Sequence, residues 1–249
     1  MSLFNEKLKK ITLKELLSVI IILFLFHYLL NYFYHVNVDI VWIYILVIFY
    51  FIFKLKHELY SIKEDIFEIF KPNFLKQIFL IVALNVFFSY GMLYFSNFVL
   101  NTMPPINLFN SFLTGSLIAT VIISPISEEL IFRGVFLNRL QLIVPPVFAV
   151  LISSLLFASL HSFGSIFSAF IFAICIAILY MKTENIFVAI FAHFINNVVA
   201  EAILIFDSGK LLFTNDIVVG AMSLLAIISF VLLLVFIVKE LNTISYNKS

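Results

Sequence analysis

Apolar residues in this chain do not alternate with polar ones; they gather into long runs separated by short charged stretches. The runs lie at about Leu16–Tyr34, Ile40–Phe53, Ile78–Leu100, Phe112–Phe132, Val147–His161, Ile166–Met181, Ile186–Phe206 and Ile217–Val238. Crossing about 30 Å of hydrocarbon takes roughly 20 helical residues. The second, fifth and sixth runs are short of that, so they are expected to thin the bilayer or sit inside the bundle. Lipid offers the backbone no hydrogen-bond partner, which leaves helices or closed barrels as spanning structures. Period-two alternation is absent. The pattern therefore predicts an all-α membrane protein, a bundle of about eight transmembrane helices. Val144-Pro145-Pro146 is the breaker between the fourth and fifth runs.

Between the second and third runs, Leu59, Ile62, Ile66 and Phe70 recur at spacings of three and four, with Lys63, Glu64, Asp65 and Glu68 between them. That is the pattern of an amphipathic helix lying in the cytoplasmic interface. A solvated linker helix would read the same way. No internal repeat appears. The chain is expected to form one structural domain: residues 1–110 carry three spans and the interfacial helix, 111–206 carry the chemistry, and 207–249 hold the last helix and tail.

Composition narrows the class. At 63% hydrophobic and 12% charged residues, with a mean hydropathy of +1.16, the chain is excluded as a soluble globular enzyme or a disordered protein. A formal charge of +1 offers no basic surface, so no nucleic-acid partner is expected. The fifteen Lys and Arg residues fix an orientation. With the N-terminus in the cytoplasm, every one falls on the cytoplasmic side except Lys210, so both termini are predicted to be cytoplasmic. A single cysteine, Cys175, forms no internal disulfide.

The expensive residues are those ionisable inside the apolar runs, and they default to a functional reading. No charge occurs between Lys76 and Glu128; then comes Ser124-Pro125-Ile126-Ser127-Glu128-Glu129-Leu130-Ile131-Phe132-Arg133. Adjacent helical residues point about 100° apart, so the two glutamates have different surroundings. Glu129 stands four before Arg133, the favourable order for an ion pair, which leaves Glu128 as the candidate general base. The bland alternative is a pair of interfacial carboxylates capping the span. Folding a hairpin at Val144-Pro145-Pro146 brings His161 level with Glu128; otherwise His161 is a helix-end histidine satisfied by a carbonyl. His193, Asn197 and Glu201 share one helical stripe, where interhelical hydrogen bonding is the competing account. Asn196 and Glu201 fit that account better than a catalytic one, and His27 and His35 read as interfacial.

Three elements in order, Glu128-Glu129-x-x-x-Arg133, Phe157-x-x-x-His161 and His193-x-x-x-Asn197, resemble the CPBP family (CAAX protease and bacteriocin-processing, or Abi) of intramembrane peptidases. The resemblance covers about 110–200. The tract Tyr180–Ile186 resembles the family's turn before its last histidine, with Glu184 where glycine is more usual. It implies that Glu128 deprotonates a water oriented by His161, that His193 and Asn197 donate to the oxyanion, and that Glu129, Arg133 and Phe157 support the site. It implies no cofactor and no metal ligand, with zinc held by these histidines and glutamates as the rival. The expected partners are the lipid bilayer and a membrane-associated peptide or protein substrate, and the location a bacterial plasma membrane, multi-pass. A non-catalytic immunity or scaffold protein, and a proton-coupled transporter using Glu128 and His161, stay open. Nothing in the sequence gives the oligomeric state.

Overall fold

The computed structural model describes residues 1–34, 39–95, 117–161, 166–207 and 211–246; they form helices, with no strand among them. In chain order these are α1 (Leu3–Leu8), α2 (Leu13–Tyr34), α3 (Val41–Lys54), α4 (Ile62–Ile69) and α5 (Pro72–Tyr94). An irregular helix, α6, follows in four pieces: Ala119–Ile123, Ser124–Glu129, Leu130–Leu137 and Asn138–Leu140. Then come α7 (Pro146–Ala158), α8 (Ile166–Thr183), α9 (Ile186–Phe206), α10 (Leu211–Thr214) and α11 (Asp216–Tyr246).

Five of these, α2, α5, α8, α9 and α11, are long and apolar enough to cross a membrane. The second and fifth apolar runs appear as the shorter apolar helices α3 and α7. The fourth is α6. His35, Lys210 and Lys248 lie outside the described residues, as do 96–100 and 112–116 at the ends of two expected spans.

Local chemistry sets the boundaries. Pro72 and Pro146 occupy first-turn positions, where a missing N–H costs nothing. The Asn185 side chain caps α9 by accepting from the Phe187 N–H. Packing then sorts the helices. The sixth run, short on paper, is the centre of the bundle: 67% of the α8 span is buried, against 6% for α2. Helices α5, α7, α9 and α11 surround α8, and α2 and α3 pack outside α6. Where α5 meets α11, a Cβ on Gly91 would stand 2.5 Å from the Ala226 Cβ, so the two backbones approach through small residues.

The amphipathic helix α4 faces inward differently from its apolar pattern. Asp65 and Ile69 are its buried residues, while Ile66, Phe67 and Phe70 point outward. The physical reason is α1, which the hydrophobic pattern does not predict. Ser2 and Asn5 donate to the Asp65 carboxylate and so turn that side of α4 towards the bundle.

Candidate active site

The site is built on α6, whose ladder is interrupted. Its first segment is π-helical, and the Ser124 N–H bonds back five residues to the Ala119 carbonyl. The next rung would join residue 125 to the Thr120 carbonyl, but residue 125 is proline and has no N–H. Asn197 of α9 fills the gap: its Nδ2 donates to the Thr120 oxygen at 2.9 Å. A broken rung on one helix thus fixes a side chain on another.

The two glutamates diverge as the 100° spacing requires. Glu129 is wholly buried and pairs with the buried Arg133, Nη1 to Oε1 at 3.0 Å. Arg133 also donates Nη2 to the Ala173 carbonyl at 3.0 Å, and its guanidinium lies 4.6 Å from the centre of the Phe157 ring. A buried pair stripped of one partner costs about 3–5 kcal/mol, so these residues hold one another in place. Glu129 Oε1 also bonds His193 Nδ1 at 2.8 Å, while Glu129 Oε2 and Arg133 Nε are buried without partners. An ionised carboxylate only accepts, so Nδ1 carries the hydrogen and Nε2 is the nitrogen left for chemistry. That Nε2 stands 4.0 Å from Glu128 Oε2.

Glu128 itself has no Lys or Arg partner among the described residues; the Ser124 hydroxyl, one turn earlier, donates to Oε1. His161 lies just beyond α7, with Nδ1 at 3.2 Å from the Phe157 carbonyl. The helix-end reading therefore accounts for one ring nitrogen and leaves Nε2 to a different use. Phe157 is the hub beneath the site. Its ring contacts the rings of His161 (centroids 4.8 Å), His193 (5.7 Å) and Phe132 (5.4 Å) as well as Arg133.

Glu128, His161, His193 and Asn197 line one cavity of about 510 Å³, which they reach from α6, the α7 end and α9. Glu129, Arg133 and Phe157 stand behind it, touching the lining rather than forming it. Asp39, Tyr44 of α3, Thr120, Ser124 and Glu201 complete the polar lining. Glu201 is thus in the cavity although hydrogen bonding alone would account for its stripe. His27 is elsewhere, bonded to Asn31 on α2 at 3.1 Å. A smaller cavity of about 160 Å³ meets His161, His193 and Asn197 from the α5 side, lined by Asn85, Ser89 and Asn196 among others. Among the described residues, no three His, Cys, Asp or Glu side chains converge as a metal-ligand set.

Two groups of residues escape the motif reading. Tyr44 lies outside the matched motifs, on an apolar helix that also carries Tyr50, so nothing in the sequence marks it. Asn85 is the lone amide in the middle of α5, where a polar residue in an apolar span is a signal. It is buried, and its Nδ2 donates to Asn196 Oδ1 at 2.9 Å.

Residues 110–199 match the family model described as type II CAAX prenyl endopeptidase Rce1-like. The CPBP resemblance read from the three motifs is thereby shown over that stretch, and the family is one of proteases. No curated protein and no solved structure matches the chain. With its long apolar helices, the molecule is a multi-pass membrane protein, and residues 110–199 of it are similar to a protease family.

Proposed function

We propose that the chain is an intramembrane endopeptidase that hydrolyses a peptide bond in a small membrane-anchored peptide, with water activated by Glu128. The observation that carries this reading is the convergence of Glu128, His161, His193 and Asn197 on one cavity within an apolar bundle. Glu128 takes a proton from water held at His161 Nε2, and the resulting hydroxide attacks the carbonyl carbon. Negative charge then develops on the carbonyl oxygen. Asn197 meets it with the Nδ2 hydrogen not engaged by Thr120, and His193 with an Nε2 hydrogen, for which its ring must be doubly protonated. Collapse breaks the C–N bond as Glu128 returns its proton to the leaving amine. Oxyanion donors in a dry site contribute about 10²–10³-fold each. The reading uses no metal.

Eight spans, with both termini cytoplasmic, accommodate α3, α6 and α7 as short or irregular crossings in a bacterial plasma membrane. They place the cavity within reach of the cytoplasmic leaflet, suited to processing an exported peptide or to self-protection against a bacteriocin. The test is Glu128→Gln in proteoliposomes containing an internally quenched S-prenylated peptide, the substrate type named by the matched family, with excess chelator throughout. The wild type is expected to cleave and the variant to lose at least a thousand-fold in kcat while still binding. Equal cleavage by both proteins, or cleavage that the chelator abolishes, overturns the glutamate assignment. An adaptor would be indifferent to the substitution, and a proton-coupled transporter would lose uptake instead. Capture on the Glu128→Gln protein in native membranes then identifies the client.

A further inference from the structure

Three side-chain amides stand in line across the bundle. Asn85 Nδ2 of α5 donates to Asn196 Oδ1 at 2.9 Å, Asn196 Nδ2 donates to Asn197 Oδ1 at 3.3 Å, and Asn197 Nδ2 donates to the Thr120 carbonyl at 2.9 Å. An amide has a donor end and an acceptor end, so its two possible flips are chemically different. The direction of this chain is dictated from one terminus. A backbone carbonyl only accepts, and Pro125 has removed its helical donor, so Asn197 must turn Nδ2 towards Thr120. Its Oδ1 then faces Asn196, which must present Nδ2; Asn196 Oδ1 in turn faces Asn85, which must present Nδ2. Asn85 Oδ1 is left buried without a donor. A buried acceptor left unsatisfied loses its hydrogen bonds to water with nothing in return, which makes the run of amides a poor choice for stability alone.

We propose that Asn85 and Asn196 are positioning residues for hydrolysis: they form a polarised amide relay that locks Asn197 with its N–H groups, rather than its oxygen, towards the reacting carbonyl. This rests on the reading of Asn197 as an oxyanion donor. Asn85 lies outside residues 110–199, so the relay recruits a helix beyond the matched core to set the polarity of a group within it. Thr120 alone would leave Asn197 free to rotate away from both partners; the relay clamps it from the other side.

The sharpest test is Asn85→Asp, nearly isosteric but with no donor when ionised. The new carboxylate would demand an N–H from Asn196, reverse each amide in turn and set Asn197 Oδ1 against the Thr120 carbonyl. Asn85→Leu removes the donor without imposing that reversal. His161 and His193 are the titratable side chains that line the cavity beside Asn85 among the described residues; both are common to wild type and variants, so activities are read as ratios to wild type at each pH. With the same S-prenylated peptide in proteoliposomes, Asn85→Asp is expected to lose about 10²-fold in kcat near neutral pH, with KM changed less than three-fold. Asn85→Leu should lose under ten-fold. Lowering the pH should restore the Asn85→Asp ratio at least ten-fold, because a protonated carboxyl again donates to Asn196. Asn196→Asp, compared with Asn196→Leu, repeats the design should the first substitution prevent folding, and thermal melting of each purified variant identifies that case. A ratio flat with pH, or equal losses for Asp and Leu, overturns the relay while wild-type cleavage keeps the peptidase reading intact. Absence of wild-type cleavage overturns both.

Discussion

At the scale of single residues, Glu184 shows how a departure from a family pattern becomes a physical statement. It joins α8 to α9 with φ 51°, the one positive φ at a non-glycine residue among those described. A side chain in that left-handed region costs on the order of 1 kcal/mol that glycine would not incur. The glycine more usual at this place answers that geometry, and Glu184 offsets part of the cost through its ion pair with Lys9 at 3.0 Å. That pair is partly exposed and contributes only about 0–1 kcal/mol. Glu184→Gly made in a Lys9→Ala background, where the pair is already gone, should raise unfolding free energy by about 1 kcal/mol. Equilibrium denaturation in detergent measures it, and no gain there means the turn relaxes without strain. The same contrast marks what a sequence carries at this scale. Spacing by four was enough to assign Arg133 to Glu129 and free Glu128. It said nothing of Ser124 against Glu128, since serine is too common in helices to signal. Nor could it say that Glu129 would also hold His193, because that contact joins residues 64 apart.

At the scale of elements, apolar runs translated well into helices because lipid permits few other structures. What they could not convey was irregularity. The π-helical pieces of α6 lie just before Pro125 and around Gly134, against which Leu8 packs, and such contacts are tertiary matters. The amphipathic stripe of α4 was legible as a pattern, yet its inward face was chosen by Asp65 and its partners in α1 rather than by Ile66 or Phe70. The α5–α11 crossing yields a prediction of its own. Gly91→Ala would drive a methyl to 2.5 Å from Ala226 Cβ, closer than side chains tolerate, and both helices are long and packed along their length. Overpacking of this kind costs about 1–3 kcal/mol. Ala226→Gly removes the opposing methyl, so the double variant should recover most of the lost stability. A cycle of thermal or denaturant unfolding on the four proteins checks it. Additive losses would mean that the two residues do not meet.

At the scale of the whole molecule, the N-terminal helix ties α4 to the start of α9 and thereby supports the helix that carries His193 and Asn197. Asn5, fully buried, donates Nδ2 to Asp65 at 2.9 Å and accepts from the Ile186 N–H at 2.9 Å, the first turn of α9. Asn185 Nδ2 reaches the Asp65 carbonyl at 2.9 Å, and the Phe4 N–H reaches Ser61 Oγ at 3.0 Å. Leu8 packs against Gly134 of α6 from the same side. Removing this end would therefore loosen α9 and α6 together, although neither α1 nor α4 touches the cavity. The knot also imposes a pH dependence. Burial pushes the Asp65 carboxyl above its ordinary value, with Glu68 adding to it and the hydrogen bonds from Ser2 and Asn5 opposing. The folded chain then holds that proton more tightly than the unfolded chain. Stability is accordingly lost as pH rises from the ordinary carboxylate range through the higher folded value, and remains reduced above it. Asp65→Asn keeps an oxygen for Ser2 and Asn5 but cannot ionise. Its stability relative to wild type should be level in acid, climb as pH passes that window, and stay in its favour at neutral pH. Unfolding measured in parallel at a series of pH values tests this, and a difference that does not change with pH would mean that Asp65 meets enough solvent or positive charge to ionise in the folded knot at no cost.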